Sequence, residues 1–139
     1  ELLDRWIDGY GIALKPTIHI GNYRFLKEED GKAWKKLNLE VEKTVWGSEA
    51  AADIITNYLV PLKLDLYTLE PKTELMKKWR LLPDPAGKVL LYEKFWNNTA
   101  DKKYAPEILV YADLILTGDP RCMETAKIIY DKYLANDSV

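Results

Sequence analysis

Histidine and cysteine are all but missing from this chain, which has one of each, His19 and Cys122, in 139 residues. That leaves too few imidazole and thiolate ligands for a zinc site. A single thiol closes no internal disulfide and suits a reducing compartment. Charge of one sign is missing too: 20 Lys and Arg face 22 Asp and Glu. Neither self-repelling disorder nor a polyanion partner for this piece alone is favoured by such a balance. No run approaches the roughly 20 apolar residues that a membrane helix needs. The opening "ELLDRWIDGYG" lacks the basic start and apolar centre of a secretory signal, so the natural reading is a cytoplasmic protein without membrane contact. A P-loop, a Gly-x-Gly-x-x-Gly turn and a Gly-x-Ser-x-Gly elbow are all absent, so the motifs point to no cofactor and no catalytic triad. Two sequons, Asn97-Asn98-Thr99 and Asn136-Asp137-Ser138, read as chance matches in a cytoplasmic chain.

What is present is apolar bulk, 47% of residues with 12% aromatic, enough for one globular core, and a single domain over 1–139 is expected. The apolar stripe Leu2, Leu3, Trp6 and Ile7 starts at the second residue with no room for a cap, and no initiator Met precedes it. This reads as a chain cut from something longer. Along the chain, strands and helices alternate, which predicts an α+β or α/β domain: a mixed sheet flanked by helices and closed by a C-terminal helix pair.

The spacing predicts a first helix over 2–8 ending at the Gly9 and Gly11 pair, then a strand through Ile18, Ile20, Tyr23 and Phe25 with Gly21 at a bulge or turn. The polar stretch 27–37 is a surface loop or short helix with Trp34 tucked inward. A short strand at 43–47 leads into a helix over 48–59 with Ser48 as its N-cap. In "KLDLYTLEP", 63–71, Leu64, Leu66 and Thr68 alternate against Asp65, Tyr67 and Leu69, the period of a half-buried strand with Asp65 toward solvent. A helix through "TELMKKWRLL", a turn at "PDPAGK" and a strand at "KVLLYEKFW" follow. The stretch "LVYADLILTGDPRCMETAKIIY", 109–130, holds the end of a helix over 106–116, a Gly118 stop, and an Asp119-Pro120 start for the last helix. That last helix has Ala126, Ile129, Tyr130 and Tyr133 as its buried stripe.

Candidate chemistry is sparse. Glu70-Pro71-Lys72 has the acid-x-Lys form of a restriction-nuclease-like metal site, with Glu49 or Asp65 as the second carboxylate. However, Pro71 ends a strand rather than continuing it. His19 sits in a strand pattern without a nucleophile beside it. Cys122, at the start of the last helix, has Arg121 and a helix N-terminus to favour its thiolate, yet packing is the expected role. Lys72, Lys77, Lys78 and Arg80 around Trp79 make the best nucleic-acid patch, with a solvated helix face as the alternative. Asp113 is an acid inside an apolar run, one step around from Leu109, Ala112 and Leu116. A half-buried acid needs a partner, sought in the Thr117-Gly118-Asp119 backbone or in Arg121; its expected role is architecture.

Taken together, the strings "VWGSEAAADIITNYL", "LYTLEP", "LLPDPAG" and "APEILVYADLILTGDPRCMETAKIIYDKYL" resemble, in order and spacing, the C-terminal domain of AbiEi-type antitoxins, prokaryotic proteins of type IV toxin-antitoxin systems linked to abortive phage infection. The likeness runs from about residue 2 to 134. It implies a non-enzymatic regulatory domain that follows an N-terminal winged-helix domain bound to the operon's own promoter DNA. It also implies a nucleotidyltransferase toxin as functional partner, counteracted without a stable complex. No catalytic, cofactor-binding or metal residues come with the resemblance. Gly47, Glu49, Tyr111, Asp113, Asp119 and Arg121 match the pattern without an assigned role.

Overall fold

The computed structural model describes residues 2–97 and 102–135; Asn98 and Thr99 of the first sequon and all of the second lie outside them. A five-stranded mixed sheet has the order β2-β3-β5-β1-β4, built from β1 (His19–Phe25), β2 (Thr44–Gly47), β3 (Leu64–Thr68), β4 (Leu81–Pro83) and β5 (Val89–Glu93). Its helices are α1 (Leu2–Gly9), α2 (Lys15–Ile18), α3 (Glu28–Lys32), α4 (Ser48–Thr56), α5 (Lys72–Trp79), α6 (Glu107–Thr117) and α7 (Pro120–Ile129). After β3 the chain runs through α5 to the far edge as β4, then returns as β5 to lie parallel to β3 and antiparallel to β1. Helices flank the mixed sheet and α6 and α7 close the chain, as the sequence predicts.

The N-terminal helix does not stop at its glycines. Gly9 is right-handed helical, a π-helical turn over Tyr10–Leu14 follows, and α2 carries the same run on to Ile18. Glycine ends a helix where the chain needs a left-handed residue. Here Ile7, Tyr10 and Ile18 are all buried, and continuing the helical path keeps that stripe on the core. A second departure is at Ser48, which was expected to cap α4. Gly47 takes the cap position, and Ser48 lies inside the first turn at φ 46° with no side-chain cap bond. The later signals hold. Gly118 closes α6 at φ 67°, and Asp119 caps α7 by accepting the Arg121 N–H at 2.9 Å ahead of Pro120.

The larger departure is β3. Asp65 and Tyr67 face inward, because β3 is an interior strand with cover on both sides. Register partners share a face, so Tyr67 and Asp65 lie with Val45, Gly47, Leu90 and Tyr92. That face is covered by the N-terminal helical run and α6, which reach Tyr67 through Tyr10 and Asp113. Trp46, Leu66 and Leu91 occupy the opposite face, where Trp34 packs edge-on to Trp46 at 4.9 Å between ring centroids. α4 lies on β2 and β3 and packs against α6 and α7. A strand in the middle of a two-sided core reads as nearly continuous burial rather than alternation. Gly47 belongs to this packing: a side chain there would drive its Cβ into the Tyr67 ring.

Candidate functional site

Asp113 projects from α6 into the core and is 1% exposed. Its partners differ from those expected. They are Tyr10, whose hydroxyl donates to Oδ1 at 2.8 Å, Lys15, whose ammonium donates to the same oxygen at 2.8 Å, and Tyr67, whose hydroxyl donates to Oδ2 at 2.5 Å. The two phenols also touch each other at 2.6 Å. Desolvation and the Asp113 charge push both phenol pKa values upward, so each stays protonated as a donor. A buried carboxylate with this many donors is satisfied. The cluster joins the N-terminal run, β3 and α6, elements 46 to 103 residues apart in sequence, which makes it an architectural device.

Arg121, the other expected partner, points elsewhere. From the first turn of α7 it donates to Glu49 Oε1 at 2.7 Å and to the Val60 carbonyl at 2.9 Å. Glu49 also accepts the Leu62 N–H at 3.1 Å. The pair therefore ties α7 to the start of α4 and to the loop leading into β3. Tyr111 meets Tyr130 at 5.6 Å between centroids. Each of the six pattern positions thus has a place in the packing: Gly47 beneath the Tyr67 ring, Asp119 as the α7 cap, and the rest in the contacts just described.

Beside the cluster opens a cavity of about 290 Å³, onto which Lys15, Ser48, Glu49, Lys63, Asp65 and Tyr92 all open. Asp65 enters it from β3, directly opposite Gly47 in register. Its side chain is 8% exposed, and its nearest cation, Lys15 Nζ, lies 4.0 Å away and is committed to Asp113. No hydrogen bond reaches the Asp65 carboxylate from any described residue. Desolvation raises its pKa to about 7, with Lys15 pulling downward and Asp113 and Glu49 pushing further up. The sign follows from linkage: folding stabilises the protonated acid, so this contribution is fully present below the unfolded value near 4 and is lost as pH rises through 7. Asp65→Asn is therefore expected to be more stable than the parent above pH 7 and to flatten the stability profile between pH 4 and 7. Urea melts of both proteins across that range would check it, and an Asn variant less stable at pH 8 would refute it.

The nuclease-like grouping does not assemble. Glu70 follows the far end of β3 from Asp65, five residues and about 16 Å along an extended chain. There it accepts the Thr44 hydroxyl at 2.5 Å and lies 3.6 Å from Lys78. Among the described residues no group of three His, Cys, Asp or Glu side chains is placed to hold a metal ion. Lys72 is the exposed first residue of α5. Lys77, Lys78 and Arg80 are exposed too, but Trp79 is 6% exposed beneath them, so its ring is not offered for base stacking. His19 is an exposed strand residue within 2.7 Å of the Asn22 side chain. Cys122 is fully buried, and desolvation raises its thiol pKa, which places it in the packing, as expected. Tyr10, Lys15, Lys63 and Tyr67 were not singled out in the sequence; the signal for Tyr10, Lys15 and Tyr67 was that Asp113 needed donors, and Lys63 carried none.

No described helix is long and apolar enough to cross a membrane. A family model described as "Transcriptional regulator, AbiEi antitoxin, Type IV TA system" matches residues 1–135. Neither a curated protein nor a solved structure matches the chain.

Proposed function

The chain belongs to the AbiEi antitoxin family of transcriptional regulators in type IV toxin-antitoxin systems, and from that membership we propose that it is a non-enzymatic regulatory domain that counteracts a nucleotidyltransferase toxin in the cytoplasm. The observation that carries the reading is the family match over residues 1–135. The geometry supports it: two of the three acids near the cavity are committed to structure, Asp113 to two phenols and an ammonium, Glu49 to a guanidinium. In the whole protein this domain follows a winged-helix domain that binds promoter DNA, and it relieves the toxin's effect without holding the toxin in a stable complex.

Co-expression of the whole protein with the neighbouring toxin is expected to restore growth, and the two proteins are expected to separate on size exclusion. Growth arrest that persists at matched expression would refute the antitoxin role; co-elution at micromolar concentration would refute the absence of a complex.

The division of labour predicts DNA behaviour as well. With a formal net charge of −2, this domain releases few counterions on binding, so its affinity for operon promoter DNA should stay in the non-specific range, weaker than about 10⁻⁶ M at physiological salt. A mobility shift that reveals sequence-specific binding tighter than that would move DNA recognition into this domain.

A further inference from the structure

We propose that the cavity between β3 and the first turn of α4 binds a magnesium-complexed di- or triphosphate, with Asp65 on the metal and with Lys63, Ser48 and the α4 N-terminus on the phosphate. Three observations converge on it. The first is the underserved acid: Asp65 is more than nine-tenths buried, opens into the cavity, and accepts no hydrogen bond from a described residue, its ion pair being the 4.0 Å contact with a Lys15 already bonded to Asp113. A protein gains nothing in stability from such a group, and its raised pKa measures the cost.

The second is the start of α4. This nine-residue helix has no side-chain cap, and Ser48 and Glu49 of its first turn line the cavity. Uncapped N–H groups and the positive end of the helix dipole favour an anion.

The third is the charge balance. Glu49 is neutralised by Arg121, and Asp113 by Lys15. The charges that face the cavity without a hydrogen-bonded partner among the described residues are the Asp65 carboxylate, 4.0 Å from Lys15, and the exposed Lys63 ammonium, which draws the Asp65 pKa downward. A bare anion would meet Asp65 and a bare cation would meet Lys63. An ion that carries both signs fits, and Mg²⁺ commonly binds through one or two carboxylates with the remaining ligands from phosphate and water. A volume of about 290 Å³ accommodates the phosphate end, with any nucleoside toward the open mouth. The inference stands apart from the antitoxin reading, because it rests on the cavity alone.

The test is thermal melting of the chain at pH 8 with five additions: Mg²⁺ alone, pyrophosphate alone, Mg²⁺ with pyrophosphate, Mg²⁺ with ATP and Mg²⁺ with GTP. Magnesium with pyrophosphate should raise the melting temperature by about 3 °C or more at millimolar concentration through mass action, while each component alone leaves it unchanged. A larger rise with ATP or GTP would assign the ligand to nucleotides, and an equal rise would assign it to the polyphosphate itself. Asp65→Asn should abolish the magnesium-dependent rise, and Lys63→Ala should weaken binding at least tenfold in calorimetry. Both sites are compatible with folding, since Asp65 is a net cost and Lys63 is exposed. No rise with any magnesium-phosphate pair, an equal rise with Mg²⁺ alone, or an undiminished rise in Asp65→Asn would overturn the proposal.

Discussion

Replacing Asp113 with alanine is expected to lower the folding free energy by about 3–5 kcal/mol, the range found when one partner of a buried charge pair is removed. The size comes from what is left behind. Lys15 loses the carboxylate 2.8 Å from its ammonium, and the Tyr10 and Tyr67 hydroxyls lose their shared acceptor. Each phenol can still bond the other at 2.6 Å, and Lys15 can reach solvent through the cavity, which keeps the loss from exceeding that range. Tyr67→Phe, which leaves Tyr10 and Lys15 on the carboxylate, should cost less, about 1–3 kcal/mol. Denaturant melts of both variants separate the contributions. If Asp113→Ala melted like the parent while growth rescue was lost, the cluster would be functional rather than architectural.

Trp46→Ala should be of similar size, about 3–5 kcal/mol, because a large aromatic in a close-packed core leaves a cavity that the surroundings only partly refill. Trp46 is 1% exposed and packs edge-on against Trp34 at 4.9 Å. Its backbone accepts the Ala105 N–H and donates to the Lys103 carbonyl, both at 2.8 Å, so the segment before α6 is seated on this strand edge. The measurement is again chemical denaturation, followed by far-ultraviolet circular dichroism so that the lost indole does not alter the signal. A loss below about 1 kcal/mol would mean that Trp34 and its neighbours close over the space.

How much of this was legible in the residues varies with the range of the interaction. Several local signals held: the Gly118 stop, the Asp119-Pro120 start of α7, the bulge or turn at Gly21, which is a bulge, and the inward Trp34 each depend on a few neighbouring residues, whereas the Ser48 cap did not form. The family was readable too, because order and spacing survive without coordinates.

The errors came where tertiary contacts outweighed local preference. Gly9 continued a helix because Tyr10 and Ile18 had to reach the core. Asp65 turned inward because the N-terminal helical run and α6 cover its face of β3. Asp113 was rightly read as an acid that needs donors, and wrongly supplied from its own neighbourhood. Its donors stand 46, 98 and 103 residues away, and no periodicity records a contact of that separation. The sequence by itself determined the mixed α and β class, the C-terminal helix pair and the antitoxin family, because these rest on local patterning and order. Only the tertiary structure decided which polar groups meet inside the core and that one of them, Asp65, was left open to a cavity, because that depends on which elements pack face to face.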